Sequence, residues 1–159
     1  MSRPAPIVAL LLGVAACGGG DERGDRALPD VTLPPLEGDG EPLELAELTG
    51  PAVVNLWATW CAPCRRELPA FQDVSEQRTD VSFVGVDIGE DPAAATAFLD
   101  ELGVTFPQYA DEEAALTDAL GTAALPVTLI VGDDGLITTT HLGPLSVDDL
   151  HAALRDATT

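Results

Sequence analysis

Hydrophobic and polar positions along this chain change period several times, and each change marks an element. Ala52–Trp57 is apolar except for Asn55 and lacks alternation, the pattern of a strand buried on both faces of a parallel sheet. Residues 65–77 carry Leu68, Phe71 and Val74 at helical spacing, with Pro69 inside the helix and expected to bend it. Residues 81–88 form a second apolar run, so the three together predict a right-handed βαβ unit. Asp91 and Pro92 then supply an N-cap and a first-turn proline. The helix they open carries Phe98 and Leu102 on one face and stops at Gly103.

Residues 105–109 read as a short strand, and residues 111–120 as a helix with acids in its first turn, ended by Gly121. Residues 126–131 form a strand headed by its proline, one of the few places a strand tolerates one. Gly132-Asp133-Asp134-Gly135 turns that strand back into Leu136–Leu142 as an antiparallel partner. Ser146 and Asp149 open the last helix in a capping-box-like pattern, with Leu145 and Leu150 as its hydrophobic staple. Near the start, residues 31–33 and 42–45 flank the turn-forming Glu37-Gly38-Asp39-Gly40 and predict a hairpin.

The first sixteen residues have a different character. Arg3 precedes an uncharged run over residues 7–16, too short to span a bilayer but sized for the apolar region of a signal peptide. Val14-Ala15-Ala16-Cys17 resembles a bacterial lipobox, which implies diacylation of Cys17 after cleavage and a stable membrane anchor. The competing reading is an ordinary secretory signal cut nearby. Residues 17–27, Gly-rich and charged, read as a flexible lipid-anchored tether, and residues 28–159 as one catalytic domain.

Charge narrows the partners. The chain has 27 acids, seven Arg and no Lys, for a net charge of −20. That excludes nucleic acid and electrostatic docking on an anionic membrane as modes of binding. It leaves a solvated acidic surface, a basic partner, a high-salt setting or a genome-wide compositional bias. Three cysteines, one in the lipobox and two in a close pair, fit an oxidising compartment.

The chemistry lies in Trp60-Cys61-Ala62-Pro63-Cys64, where the buried strand becomes a helix. A thiol at a helix N-terminus has its thiolate stabilised by unpaired N–H groups and the macrodipole. A second thiol three residues further resolves any mixed disulfide formed by the first. Half a zinc site is the alternative, but Cys17, His141 and His151 supply no second ligand pair, so no metal or other cofactor is expected.

The order of elements resembles a thioredoxin-like α/β fold. The wording of residues 53–71, with W-C-x-P-C-R-x-E-L-P after a buried strand, looks more specifically like the TlpA/ResA family of membrane-tethered thiol–disulfide oxidoreductases. The resemblance covers roughly residues 28–157 and includes the N-terminal hairpin and a central αβ(α) insertion over residues 91–121. It implies Cys61 as the attacking thiol, Cys64 as the resolving thiol, and a redox-active disulfide between them. It implies a cis bond between Leu125 and Pro126, whose loop would offer backbone groups to a substrate strand. It also implies that Glu67 is a carboxylate near the thiols, able to relay a proton; the competing reading is a solvated helix-surface Glu. Asn55 stands where ordinary thioredoxins carry a buried Asp, which moves any acid–base role to Glu67. Trp60 is positioned to flank the exposed sulfur, whereas Trp57 belongs to the core. Arg65 and Arg66 read as solvated helix charges, and His141 and His151 as structural or surface residues.

The leading expectation is a monomeric, lipid-anchored reductase on the outer face of the cell membrane. By resemblance, its substrates are exported protein disulfides, including apocytochrome c haem-site cysteines, and a membrane thiol transporter supplies its electrons. Three other readings compete: an oxidant or isomerase installing disulfides, a thiol peroxidase, and a non-enzymatic binding module. The peroxidase expects Thr three residues before the reactive Cys, where this chain has Ala58.

Overall fold

The computed structural model describes residues 26–89 and 91–158. The lipobox Cys17 and the segment before it lie outside the described residues. Six strands form the main sheet: β1 (Arg26–Ala27), β4 (Ala52–Trp57), β5 (Ser82–Asp87), β6 (Gln108–Ala110), β7 (Val127–Val131) and β8 (Leu136–Leu142). Their spatial order is β1-β8-β7-β4-β5-β6, with β4 parallel to β5, β5 parallel to β6, and the remaining pairs antiparallel. A separate two-stranded hairpin joins β2 (Thr32–Leu33) to β3 (Leu43–Glu44). Among the described residues, four α-helices, α1 (Ala62–Gln77), α2 (Pro92–Leu102), α3 (Ala115–Leu120) and α4 (Val147–Ala157), and a short 3-10 turn at Leu45–Glu47 complete the fold. This is the mixed α/β, thioredoxin-like architecture that the order of elements predicts.

The apolar strands are buried because both faces of the sheet are covered. Val53, Trp57, Phe83 and Ile130 face a core built with Leu68 and Phe71 of α1, Phe98 of α2 and Leu150 and Leu154 of α4. Val54, Leu56, Val86, Val127 and Leu129 face the other way, against Leu33, Leu45 and Leu116. The side chains of β4 alternate between these two cores, so every residue of the strand is buried. That explains a run with no polar alternation. Each fully buried Leu or Val contributes roughly 1.5–3 kcal/mol relative to exposure.

The inserted segment divides between the faces. Phe98 of α2 stacks on Trp57 with ring centroids 5.4 Å apart, while Leu116 of α3 is buried in the opposite core. A β-carbon at Gly85 of β5 would overlap the end of the Gln108 side chain, which would have to move away. Gln108 in turn accepts the indole N–H of Trp57 at 2.9 Å.

β6 begins at Gln108 rather than at residue 105, and three further boundaries differ from the pattern reading. Arg26 and Ala27, assigned to the tether, pair with Ile137 and Leu136 and close the sheet edge. α1 begins at Ala62 rather than Arg65, since Cys61 caps it and Pro63 fits the first turn. α3 begins only at Ala115. The acids before it form a turn, and the Asp111 carboxylate accepts from the N–H groups of Leu116 and Thr117, both at 3.0 Å. Elsewhere the local signals hold. Asp91 caps α2 through Ala93 and Ala94, Ser146 caps α4 through Asp149, and Gly103 and Gly121 end their helices in the left-handed region. α1 continues through Pro69.

Candidate active site

β4 delivers the chain to the first turn of α1, and there Cys61 and Cys64 form a disulfide with their Cα atoms 5.3 Å apart. Cys61 is the N-cap, and its sulfur accepts the Cys64 backbone N–H at 3.2 Å. That N–H belongs to the group a helix terminus leaves unpaired, and it would equally stabilise a thiolate on Cys61 once the bond is reduced. In this oxidised state Cys61 is 4% exposed and Cys64 is fully buried. Both residues are thus buried in this state, Cys61 marginally less so.

Glu67 is one turn further along α1 and is 3% exposed, which excludes the solvated-surface reading. Its Oε1 accepts from the Asn55 side-chain amide at 3.0 Å, and its Oε2 accepts from the Leu145 N–H at 3.0 Å. Burial pushes its pKa above the ordinary carboxylate value, while the Leu145 and Asn55 hydrogen bonds pull it back in part. Asn55 also donates to the hydroxyl of Thr128 at 3.1 Å. One carboxylate therefore ties α1 to β4 and to the start of α4, with Thr128 of β7 held through Asn55. Sequence reasoning saw Asn55 only as a departure from a pattern and missed Thr128. No local signal marks either, because their meeting depends on register between β4 and β7.

Leu125 and Pro126 are joined by a cis peptide bond; Pro126 is buried and Leu125 partly so. The Pro126 carbonyl accepts the Gly143 N–H at 2.9 Å, and Leu142, opposite Val127, is 60% exposed. Trp60 is 62% exposed beside Cys61. Arg65 is not simply solvated: its guanidinium lies 4.5 Å from the Phe98 ring centroid and pairs with Glu101 at 2.9 Å. A cation over an aromatic face contributes about 0.5–1 kcal/mol at such a site. Together, the disulfide at a helix N-terminus and the cis-proline loop are an arrangement built for thiol–disulfide exchange.

Comparison with known proteins agrees with this geometry. A family model described as Redoxin matches residues 22–154. The chain belongs to the Redoxin family. Within it, the chain is 33% identical over 138 residues to the thiol-disulfide oxidoreductase ResA of Oceanobacillus iheyensis, covering 84% of this chain and 71% of the relative. It is 32% identical over 116 residues to ResA of Bacillus subtilis, covering 71% of this chain. It spans 65% of that relative's length, just under two thirds. Among solved structures, MTB dsbF, described in mixed oxidized and reduced forms, is 28% identical with a TM-score of 0.74, covering 81% of this chain and 96% of that one. The residues that the Redoxin model matches, 22–154, include Cys61 and Cys64.

Proposed function

We propose that this redoxin is a thiol–disulfide oxidoreductase that reduces disulfides in exported proteins. The observation that carries the reading is the Cys61–Cys64 disulfide capping α1 after a fully buried strand. In the reduced state the Cys61 thiolate attacks a substrate disulfide, forming a mixed disulfide and releasing one substrate thiolate, which takes up a proton. Cys64 then gives its proton to the Glu67 carboxylate and attacks the Cys61 sulfur. The Cys61–Cys64 bond forms, the second substrate thiolate leaves and is protonated, and two electrons have passed to the substrate. Cys64 and Glu67, three residues apart on α1, share a helix face, and a buried carboxyl with a raised pKa is better matched to a thiol.

Trp60 and the Leu125-Pro126 loop form the substrate platform, with exposed indole area on one side and backbone groups on the other. The protein acts outside the cytoplasm as a monomer held to the membrane through lipidated Cys17, and a membrane thiol transporter returns it to the dithiol state. Apocytochrome c haem-site cysteine pairs are one substrate class that the family resemblance of residues 53–71 suggests. A measured reduction potential tests the direction. A value well below about −180 mV, the level of protein disulfide isomerase, fits a reductant. A value near that of a strong oxidant, about −120 mV, makes the protein an installer of disulfides instead. Reduction of insulin disulfides without peroxide, and no turnover of hydrogen peroxide, separates both from a thiol peroxidase.

A further inference from the structure

Glu67 takes up one proton per turnover in this scheme, yet it is closed off. Both of its oxygens are engaged by Asn55 and Leu145, and the side chain is buried. The sheet supplies a way out. Asn55, Thr128 and His141 stand directly opposite one another on β4, β7 and β8, forming one row across the sheet. Directly opposed residues project from the same face, here the face on which α1 and α4 pack. His141, at the end of the row, is half-buried.

A cavity of about 320 Å³ opens between β7, β8 and α4, lined among others by Ile130, Thr139, His141, Leu145, Asp149 and Asp156. Leu145 is shared between the two sites, since it lines the cavity and donates its N–H to Glu67 Oε2. The charge of His141 also reaches Glu67, where it favours the carboxylate. Nothing in the local sequence marks His141. Its position follows from the register of three strands.

We propose that His141 is the group through which Glu67 exchanges its proton with solvent, using the cavity beside α4 as the route. The inference rests on reading Glu67 as the proton acceptor from Cys64. After that transfer, the Glu67 carboxylic acid passes the proton to a ring nitrogen of neutral His141, and the imidazolium releases it to water. No electrons move in either step, and Glu67 returns to the carboxylate for the next turnover. Asp149 and Asp156 from α4 line the cavity with His141, and Glu67 of α1 interacts with His141 electrostatically. Asp149 already accepts the Ser146 hydroxyl at 2.6 Å. His141 thereby acts through Glu67 and not on the sulfurs, as a positioning and proton-exchange residue.

Turnover of the full-length protein in dithiothreitol-driven insulin reduction tests this, using His141→Ala, His141→Gln, Glu67→Gln and the Glu67→Gln/His141→Ala double variant. His141→Ala should slow turnover about tenfold, less than the roughly 10²-fold supplied by a base acting on the reacting atoms themselves. Free imidazole should restore it in proportion to the neutral imidazole present, because the truncation leaves room in the cavity. His141→Gln should be equally slow and gain nothing, since it fills the space without a base. Imidazole should not rescue Glu67→Gln or the double variant. Wild-type turnover in either His141 variant, or a slow His141→Ala unmoved by imidazole, overturns the proposal. If Glu67→Gln turns over like the wild type, the reading of Glu67 fails first and takes the proposal with it.

Discussion

Glu67 Oε1 accepts a hydrogen bond from the Asn55 amide at 3.0 Å, so the helix that carries the redox pair is tied to the strand that delivers it. The tie is made at a cost, because a carboxylate is taken out of water. Removing its hydrogen-bond partner is therefore worse than removing the charge. Asn55→Leu keeps the volume but leaves Glu67 Oε1 and the Thr128 hydroxyl without that donor. It should destabilise the fold by about 3 kcal/mol, the upper range for orphaning a buried group. The shift in urea midpoint at constant m-value measures it, and a change below about 1 kcal/mol would count against the network's importance.

Glu67→Gln separates charge from shape. The Glu67 pKa is raised above its ordinary 4.5, chiefly by burial. The folded protein thus holds a proton there over a range where the unfolded chain has released it. That contribution to stability is fully present below pH 4.5 and is lost as the pH rises through the folded pKa. Wild-type stability should therefore fall relative to Glu67→Gln across this window. Urea unfolding of both proteins at a series of pH values checks the sign, and a constant difference would contradict it.

The same substitution should act on the thiols. Removing a nearby negative charge favours the thiolate, so Glu67→Gln should lower the apparent pKa of Cys61. Turnover should nevertheless slow, because the proton acceptor is gone. Alkylation rate against pH for the reduced proteins reads the first effect and steady-state insulin reduction the second. Superimposable curves and equal turnover would remove Glu67 from the site.

Phe98 is the point where the inserted helix grips the site, lying against Trp57 on one side and the Arg65 guanidinium on another. Phe98→Ala should cost about 3–5 kcal/mol, as expected for a buried aromatic. Phe98→Leu keeps most of the apolar burial and loses the two ring interactions, which together contribute roughly 1–2 kcal/mol. Thermal unfolding of the pair should rank wild type, Leu and Ala in that order. A Phe98→Leu variant as stable as the wild type would mean that the ring contacts contribute nothing.

What could be read from the sequence follows the range of the forces involved. Asp91, Ser146, Gly103 and Gly121 announce helix ends because capping acts within a turn. The burial of β4 is visible because an unbroken apolar run needs cover on both faces. β1 is invisible: its two residues are exposed, and their pairing with Leu136 and Ile137 bridges more than a hundred positions. The late start of α3 is hidden for a related reason, since Asp111 caps it from outside the helix and imitates an acidic first turn. At the site, the cysteines, Glu67 and Pro126 carry local motif signals. Thr128 and His141 carry none, because strand register alone aligns them with Asn55.

The division of labour between the two sulfurs is the claim on which the functional account stands. Mass spectrometry of the Cys64→Ser variant after exposure to a disulfide-bonded substrate tests it most directly. The account predicts a stable mixed disulfide on Cys61, because the attacking thiol is intact and the resolving thiol is absent. The matching Cys61→Ser variant should trap little, since Cys64 is the fully buried partner. Capture of substrate on Cys64 in Cys61→Ser, with none on Cys61 in Cys64→Ser, would contradict the account.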